Sequence, residues 1–291
     1  MRIGLIGNGY WARVTHATGL SAEPSVTFAG VWGRDHAKSA SLAAEFGVTA
    51  YGTVDELFDD VDAVAFSVPP QVQSELASRA ASQRKHLLLE KPIAVSVAEA
   101  DRLADAVATA GVASVVFFTG RFEPNQRAWT DRIAALGGWD GGNGLWIGSA
   151  FGEGSQFDTP WRHDKGGLWD VGPHALAMLT ATLGPIESLV ARAGRRDLVQ
   201  LLLSHRDGAV SSYALSIDSP VAVNRNTFTV WGTEGTFDSP AEPLDAPAAL
   251  ATAARELAGL AGQADPRHPC DVQFGRTVVG LLAEAERQLA D

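Results

Sequence analysis

Lys91 stands between Glu90 and Pro92, directly after the apolar run Leu87–Leu89. A cation delivered by the end of a buried strand can meet a ligand there, because open parallel sheets bind ligands beyond the carboxyl ends of their strands. An ammonium at that edge can steady negative charge developing on a substrate oxygen, and burial would lower its pKa. Asp170 and His174 lie four residues apart with Gly172-Pro173 between them, and Pro173 suits a first helical position. An imidazole with an ordinary pKa near 6.5 can take a hydroxyl proton at neutral pH. These residues alone leave open a capping role for Asp170 at a helix running through Ala175–Leu183, and a packed core position for His174.

A second set of residues binds rather than reacts. Gly7-Asn8-Gly9-Tyr10-Trp11-Ala12 follows the strand pattern Arg2–Ile6 and opens a helical stretch that reaches Leu20. This is G-x-G-x-x-A in its working context: Gly7 for the tight turn, Gly9 for close approach of a pyrophosphate, Ala12 for helix-on-strand packing, and the helix N-terminus for the anion. About 20 residues on, an acid normally holds the ribose hydroxyls of NAD. That position here is Gly33, followed by Arg34 and Asp35, with Lys38 a turn later. A guanidinium pairs with phosphate oxygens in two-pronged fashion, so the expectation is NADP, with NAD as the alternative if Asp35 reaches the ribose.

The elements that must position these residues alternate between strand and helix. Strands are expected at Val26–Trp32, Asp62–Val68 (closed by Pro69-Pro70), His86–Leu89 and Ala113–Phe118. Helices are expected at Ala37–Phe46 (stopped by Gly47), from Val54 behind Thr53, at Gln71–Ser82, and at Val97–Ala110 (stopped by Gly111). That alternation implies a parallel, doubly wound sheet. After Thr119 the pattern changes. A helix at Arg127–Leu136 leads into Gly137–Gly144, expected as a loop because it is so rich in glycine. Strands then follow at Leu145–Phe151, Glu187–Ala193, Val199–Ser204, Ala209–Ile217 and Asn226–Trp231, with hairpin turns at Arg206-Asp207-Gly208 and Thr233-Glu234-Gly235. The expected division is therefore 1–119 and 120–291, the second part an α+β domain on an open, mostly antiparallel sheet. Glu242–Gly262 reads as a loop and an alanine-rich helix, and Val272–Leu289 as a closing helix.

Bulk composition narrows the partners. Lys+Arg number 23 against 34 Asp+Glu, a net charge of −11, which repels nucleic acid and anionic lipid. The single Cys270 excludes an intrachain disulfide and fits a reducing cytoplasm. No apolar run reaches the roughly 18 to 20 residues needed to span a bilayer. The histidines show no metal-ligand spacing with acids, so no metal is expected.

The residues GNGYWA, SVPP at Ser67–Pro70, LLLEKPIA, RFEP at Arg121–Pro124, PWRHDKGGLWDVGPHAL at Pro160–Leu176 and WGTEG at Trp231–Gly235 together resemble the glucose-fructose oxidoreductase and inositol dehydrogenase family, Gfo/Idh/MocA. The resemblance implies an NAD(P)-dependent oxidoreductase with an N-terminal Rossmann domain, moving a hydride between the nicotinamide and a hydroxyl or carbonyl of a sugar, polyol or related small molecule. It implies Lys91, Asp170 and His174 as the catalytic residues. It implies Gly7, Asn8, Gly9, Tyr10, Trp11, Arg34, Lys38, Ser67, Pro69, Glu90 and Lys91 as the cofactor-binding set. Homodimers or homotetramers through the open sheet are the implied assembly. A non-catalytic sensor or scaffold that binds the dinucleotide is the rival reading.

The 8 tryptophans raise carbohydrate stacking, with Trp161 and Trp169 flanking the motif region and Arg162 and His163 as polar candidates for a substrate hydroxyl. Ordinary packing is the alternative for both tryptophans. Two departures from the family pattern bear on substrate: Ala177 stands three residues after His174, where relatives often carry a polar side chain, and the chain is shorter than many members.

Overall fold

The apolar run after Met1 folds as β1 (Arg2–Ile6), and the chain then turns at Gly7–Gly9 into a helix that is π-type over Ala12–Ala17 and α-helical in α1 (Thr18–Ala22). The structure, a computed structural model, describes residues 1–290. Continuing in order come β2 (Thr27–Trp32), α2 (His36–Phe46), β3 (Thr49–Ala50), α3 (Val54–Asp60), β4 (Ala63–Phe66), α4 (Pro70–Ser82), β5 (His86–Leu89), α5 (Val97–Ala110) and β6 (Ser114–Val116). Local chemistry sets their ends. Gly47 and Gly111 close α2 and α5 in the left-handed region, and Thr53 with Glu56 forms a reciprocal capping box at α3. The strands pair in parallel in the order β3-β2-β1-β4-β5-β6. That order puts its reversal point between β1 and β4, beside the glycine turn. Covered on both faces, Ile3, Leu5, Val31, Val64, Phe66 and Leu87–Leu89 are fully buried.

After α6 (Pro124–Leu136) the chain builds a second sheet from β7 (Trp139–Gly148), β8 (Ile186–Ala193), β9 (Val199–His205), β10 (Val210–Ser216), β11 (Asn224–Gly232) and β12 (Gly235–Asp238). Its order is β12-β11-β7-β10-β9-β8, antiparallel except for the β7–β10 pair. Helices α7 (Pro160–Asp170) and α8 (Gly172–Leu183) lie between β7 and β8 in sequence and pack on β10 and β7. Alternation is clean: Leu201, Leu203, Tyr213, Leu215, Phe228 and Val230 point into the core, whereas Val190, Leu202, Val210 and Trp231 stay exposed.

The glycine-rich stretch corrects an expectation. Gly137 and Gly138 do make a turn, both at positive φ, but Trp139–Gly148 is a strand hydrogen-bonded on both sides. Its glycines admit aromatic rings from the neighbouring strands. A Cβ on Gly142 would lie 2.9 Å from Phe228 Cε2, and one on Gly144 would lie 2.2 Å from Tyr213 Cε2. The missing side chains are replaced by rings reaching across the ladder.

A single boundary after residue 119 does not describe the chain either. The two compact units are residues 1–123 with 244–279, and residues 124–243 with 280 onward. The alanine-rich α9 (Ala246–Leu260) returns to α1, where Gly19 lets the backbones approach: a Cβ there would meet the Pro247 carbonyl at 2.7 Å. The segment before α10 (Val272–Ala290) then covers the open edge of β6. Val116 N–H donates to the Cys270 carbonyl at 2.7 Å, and Val272 N–H to Ser114 Oγ at 3.1 Å. Cys270 is buried, as expected for a small core residue.

Candidate active site

In the first unit the dinucleotide turn is built by exclusion. Gly7 sits at φ 131°, and a Cβ on it would fall 2.3 Å from the Ser67 carbonyl oxygen at the end of β4. Only glycine lets the β1 turn cross there. Around Gly9 the opposite holds: a Cβ would meet nothing within 4 Å, so one side of the turn is open to a ligand. The positive end of the following helix faces that opening. The arrangement fits a pyrophosphate.

Asn8 links this turn to the next one. Its Nδ2 donates to the Asp35 carbonyl at 2.8 Å and to Ser39 Oγ at 2.9 Å. Gly33 packs against the same amide, since a Cβ there would lie 2.4 Å from Asn8 Nδ2. Asn8 and Gly33 are thus a matched pair, and no acidic side chain fits at 33 while Asn8 keeps those bonds. Asp35 is already engaged: Oδ1 caps α2 by accepting Lys38 N–H at 3.1 Å, and Oδ2 lies 3.8 Å from Lys38 Nζ. Arg34 and Lys38 are exposed beside it.

The carboxyl end of β5 delivers Glu90, Lys91 and Pro92, with the Lys91–Pro92 bond cis. Glu90 turns its carboxylate inward. Oε1 accepts from Trp11 Nε1 at 2.7 Å and meets His16 Nε2 at 2.8 Å, while Oε2 accepts Lys91 N–H at 3.2 Å. His16 is fully buried on the π-helical segment. Because the carboxylate only accepts, Nε2 carries the hydrogen, and Nδ1 makes no hydrogen bond to protein. Gln73, on α4, binds the backbone on either side of Lys91. Sequence reasoning singled out neither His16 nor Gln73. The only available signals were a histidine and a glutamine on otherwise apolar helix faces. Of the other expected contacts, Tyr10 and Pro69 are exposed at this edge and Ser67 is half-buried.

In the second unit Asp170 is the last residue of α7 and His174 lies in the first turn of α8. Asp170 does not cap α8. Its Oδ2 accepts from Arg162 Nε at 2.8 Å, and both side chains are largely buried, so this part of the site is electrically balanced. The Arg162 guanidinium lies 5.2 Å from the Trp161 ring and 5.3 Å from that of Phe157. His174 is half-buried, its ring 5.3 Å from that of Trp146 on β7. A kink at Gly166 (φ 59°) lies between Arg162 and Asp170 in the chain, and the two side chains meet across it. Asp197 fastens this bend, accepting Gly167 N–H at 2.9 Å, Ile217 N–H at 2.8 Å, Asp218 N–H at 3.1 Å and Ser216 Oγ at 2.5 Å.

The expected substrate residues divide. His163 is exposed, stacked on Phe151 at 4.0 Å and paired with Asp158 at 2.6 Å. Trp161 is half-buried. Trp169 is 1% exposed, its Nε1 donates to Glu286 Oε1 at 3.1 Å, and Lys165 Nζ lies 5.1 Å from its ring. It has no face left for a sugar, and packing is its role. Among the described residues no group of His, Cys, Asp and Glu is arranged to hold a metal ion, and no helix is long and apolar enough to cross a membrane.

The profile of an oxidoreductase family with an NAD-binding Rossmann fold, GFO/IDH/MocA, matches residues 1–118, and that of the GFO/IDH/MocA C-terminal domain matches residues 142–238. The dTDP-3,4-didehydro-2,6-dideoxy-alpha-D-glucose 3-reductase of Streptomyces antibioticus is 28% identical over 250 residues, 81% of this chain and 74% of that one. D-xylose 1-dehydrogenase (NADP(+)) 2 of Haloferax volcanii is 28% identical over 240 residues, 76% of this chain and 70% of that one. Among solved structures, UDP-N-acetylglucosamine 3-dehydrogenase of Acidithiobacillus ferrooxidans superposes with a TM-score of 0.80 at 22% identity, covering 99% of this chain and 97% of that one. With matching profiles over residues 1–118 and 142–238, the chain belongs to the Gfo/Idh/MocA family of NAD(P)-dependent oxidoreductases.

Proposed function

We propose that this protein is an NADP-preferring dehydrogenase or reductase acting on a secondary hydroxyl or its carbonyl in a sugar, polyol or related small molecule. The observation that carries the reading is Lys91 at the carboxyl end of β5, on the same sheet edge as the glycine turn, with its flanking backbone held on both sides. Gly7 and Gly9 would admit the pyrophosphate, and Arg34 with Lys38 would hold the ribose 2′-phosphate. The nicotinamide, when bound, supplies the hydride acceptor or donor. Lys91 stabilises the substrate oxygen as it becomes an alkoxide, His174 takes or returns the hydroxyl proton, and Asp170 with Arg162 holds the surrounding charge. Trp161 and His163 are the remaining candidates for contact with the substrate. Activity is tested by following nicotinamide absorbance against a panel of sugars, polyols and nucleotide sugars. Tight NADPH binding with no turnover on any of them would favour a binding protein instead.

The cofactor assignment rests on the Asn8–Gly33 pair and on the engaged Asp35 carboxylate. Arg34→Ala is expected to weaken NADPH binding by about 10-fold or more, as a lost charge-assisted contact does, and to leave NADH within about 2-fold. Titration of both cofactors checks this, and an NADH dissociation constant equal to or below that for NADPH in the unaltered protein would reverse the preference.

Self-association through the outer face of the second sheet belongs to the same proposal. Val190 pairs with Leu202 on adjacent strands, and Val210 pairs with Gly141, which in turn faces Trp231, so exposed apolar side chains run across the sheet. Leu202→Lys is expected to lower the mass measured by sedimentation to that of one chain, and an unchanged mass would exclude this face.

A further inference from the structure

Gln73 is fully buried on α4, and its side-chain amide is completely used. Oε1 accepts Glu90 N–H at 2.8 Å, while Nε2 donates to the Glu90 carbonyl at 2.7 Å and to the Pro92 carbonyl at 3.3 Å. β5 makes its last ladder bonds to β4 and β6 at Leu88 and Leu89. At residue 90 a side chain takes over the work of a neighbouring strand, pairing one N–H and one C=O as a ladder would. The backbone before and after Lys91 is therefore fixed from α4. The Lys91 N–H is fixed as well, by Glu90 Oε2, in a carboxylate whose other oxygen is pinned by Trp11 and His16.

A buried amide is costly unless every bond is made, and here every bond goes to the backbone around Lys91, whose N–H and C=O groups an apolar side chain of equal size would leave without these partners. Packing alone does not call for glutamine here. We propose that Gln73 is a positioning residue for Lys91: by holding the backbone at residues 90 and 92 it aims the ammonium at the substrate oxygen. This deepens the proposed function and rests on Lys91 being catalytic. The expected signature is a loss of turnover without loss of cofactor binding, because a displacement of about 1 Å in a reacting group can cost about 100-fold in rate while leaving distant contacts intact.

The test is a double-mutant cycle with Lys91→Ala, using the full chain, NADPH and whichever substrate of the panel turns over. Gln73→Met keeps the volume and removes the hydrogen bonds. It is expected to lower kcat about 10- to 100-fold with KM and the NADPH dissociation constant within about 3-fold, and to have no further effect on kcat in the Lys91→Ala background. An equal loss in both backgrounds would show a general structural role and overturn the proposal, as would a raised KM at unchanged kcat. Lys91→Ala with full turnover would overturn it by a different route, by removing Lys91 from the chemistry. Should Gln73→Met fail to fold, Gln73→Asn, which keeps the amide but shortens its reach, is run through the same cycle with the same expected pattern.

Discussion

Lys91→Ala is expected to lower kcat by about 100- to 10,000-fold while the NADPH dissociation constant stays within about 3-fold of its original value. The asymmetry follows from where the structure spends its contacts. The cofactor phosphates would be served by the glycine turn, whose geometry depends on Gly7 crossing under Ser67 and on Asn8 tied to Asp35 and Ser39. None of those bonds involves the Lys91 side chain. Lys91 would instead meet a charge that exists only during the reaction, so its loss appears in kcat rather than in cofactor affinity. Lys91→Arg is not expected to restore the rate, because a planar fork does not place charge as a compact ammonium does. Stopped-flow turnover and NADPH fluorescence titration measure the two quantities separately. A variant that binds and turns over normally would remove Lys91 from the mechanism and leave the family assignment intact.

Much of the scaffold was legible because its signals are local. The glycine stops at Gly47 and Gly111, the capping box at Thr53 and Glu56, and the apolar runs of β1, β4 and β5 each declare themselves within a few residues. The two ends of the site, Gly7–Gly9 and Glu90–Pro92, were legible for the same reason. What was not legible depends on partners far along the chain. Gln73 on α4 looks like one more polar residue until residue 90 lies beneath it, and nothing near Glu90 in sequence announces Trp11 and His16 as partners of its carboxylate. Asp197 sits in a connection between strands, and nothing near it in sequence announces four donors from residues 167 and 216–218. The return of α9 to the first unit follows from Gly19, whose small size matters only once Pro247 lies against it.

The misread of β7 makes the sharpest stability prediction. Glycine in a strand normally costs about 0.5–1 kcal/mol relative to alanine, which is why eight residues so rich in it read as a loop. At Gly144 the sign reverses. An alanine Cβ would fall 2.2 Å from Tyr213 Cε2, 2.7 Å from Cδ2 and 2.8 Å from Cζ, and Tyr213 cannot retreat: it is buried, and its hydroxyl donates to Asn226 Oδ1 at 2.9 Å. Either the ring leaves its place or the strand shifts, so Gly144→Ala is expected to destabilise by about 3 kcal/mol, the upper end of ordinary overpacking. Gly280→Ala is the control, since a Cβ in that helical position meets nothing within 4 Å, and it is expected to stabilise by up to about 1 kcal/mol. Urea unfolding of both variants measures the difference. Tyr213→Leu, which shortens the ring side chain to an aliphatic one, should then tolerate Gly144→Ala better than the unaltered protein does. A Gly144→Ala variant as stable as the parent would mean that the glycines of β7 serve some need other than room for these rings.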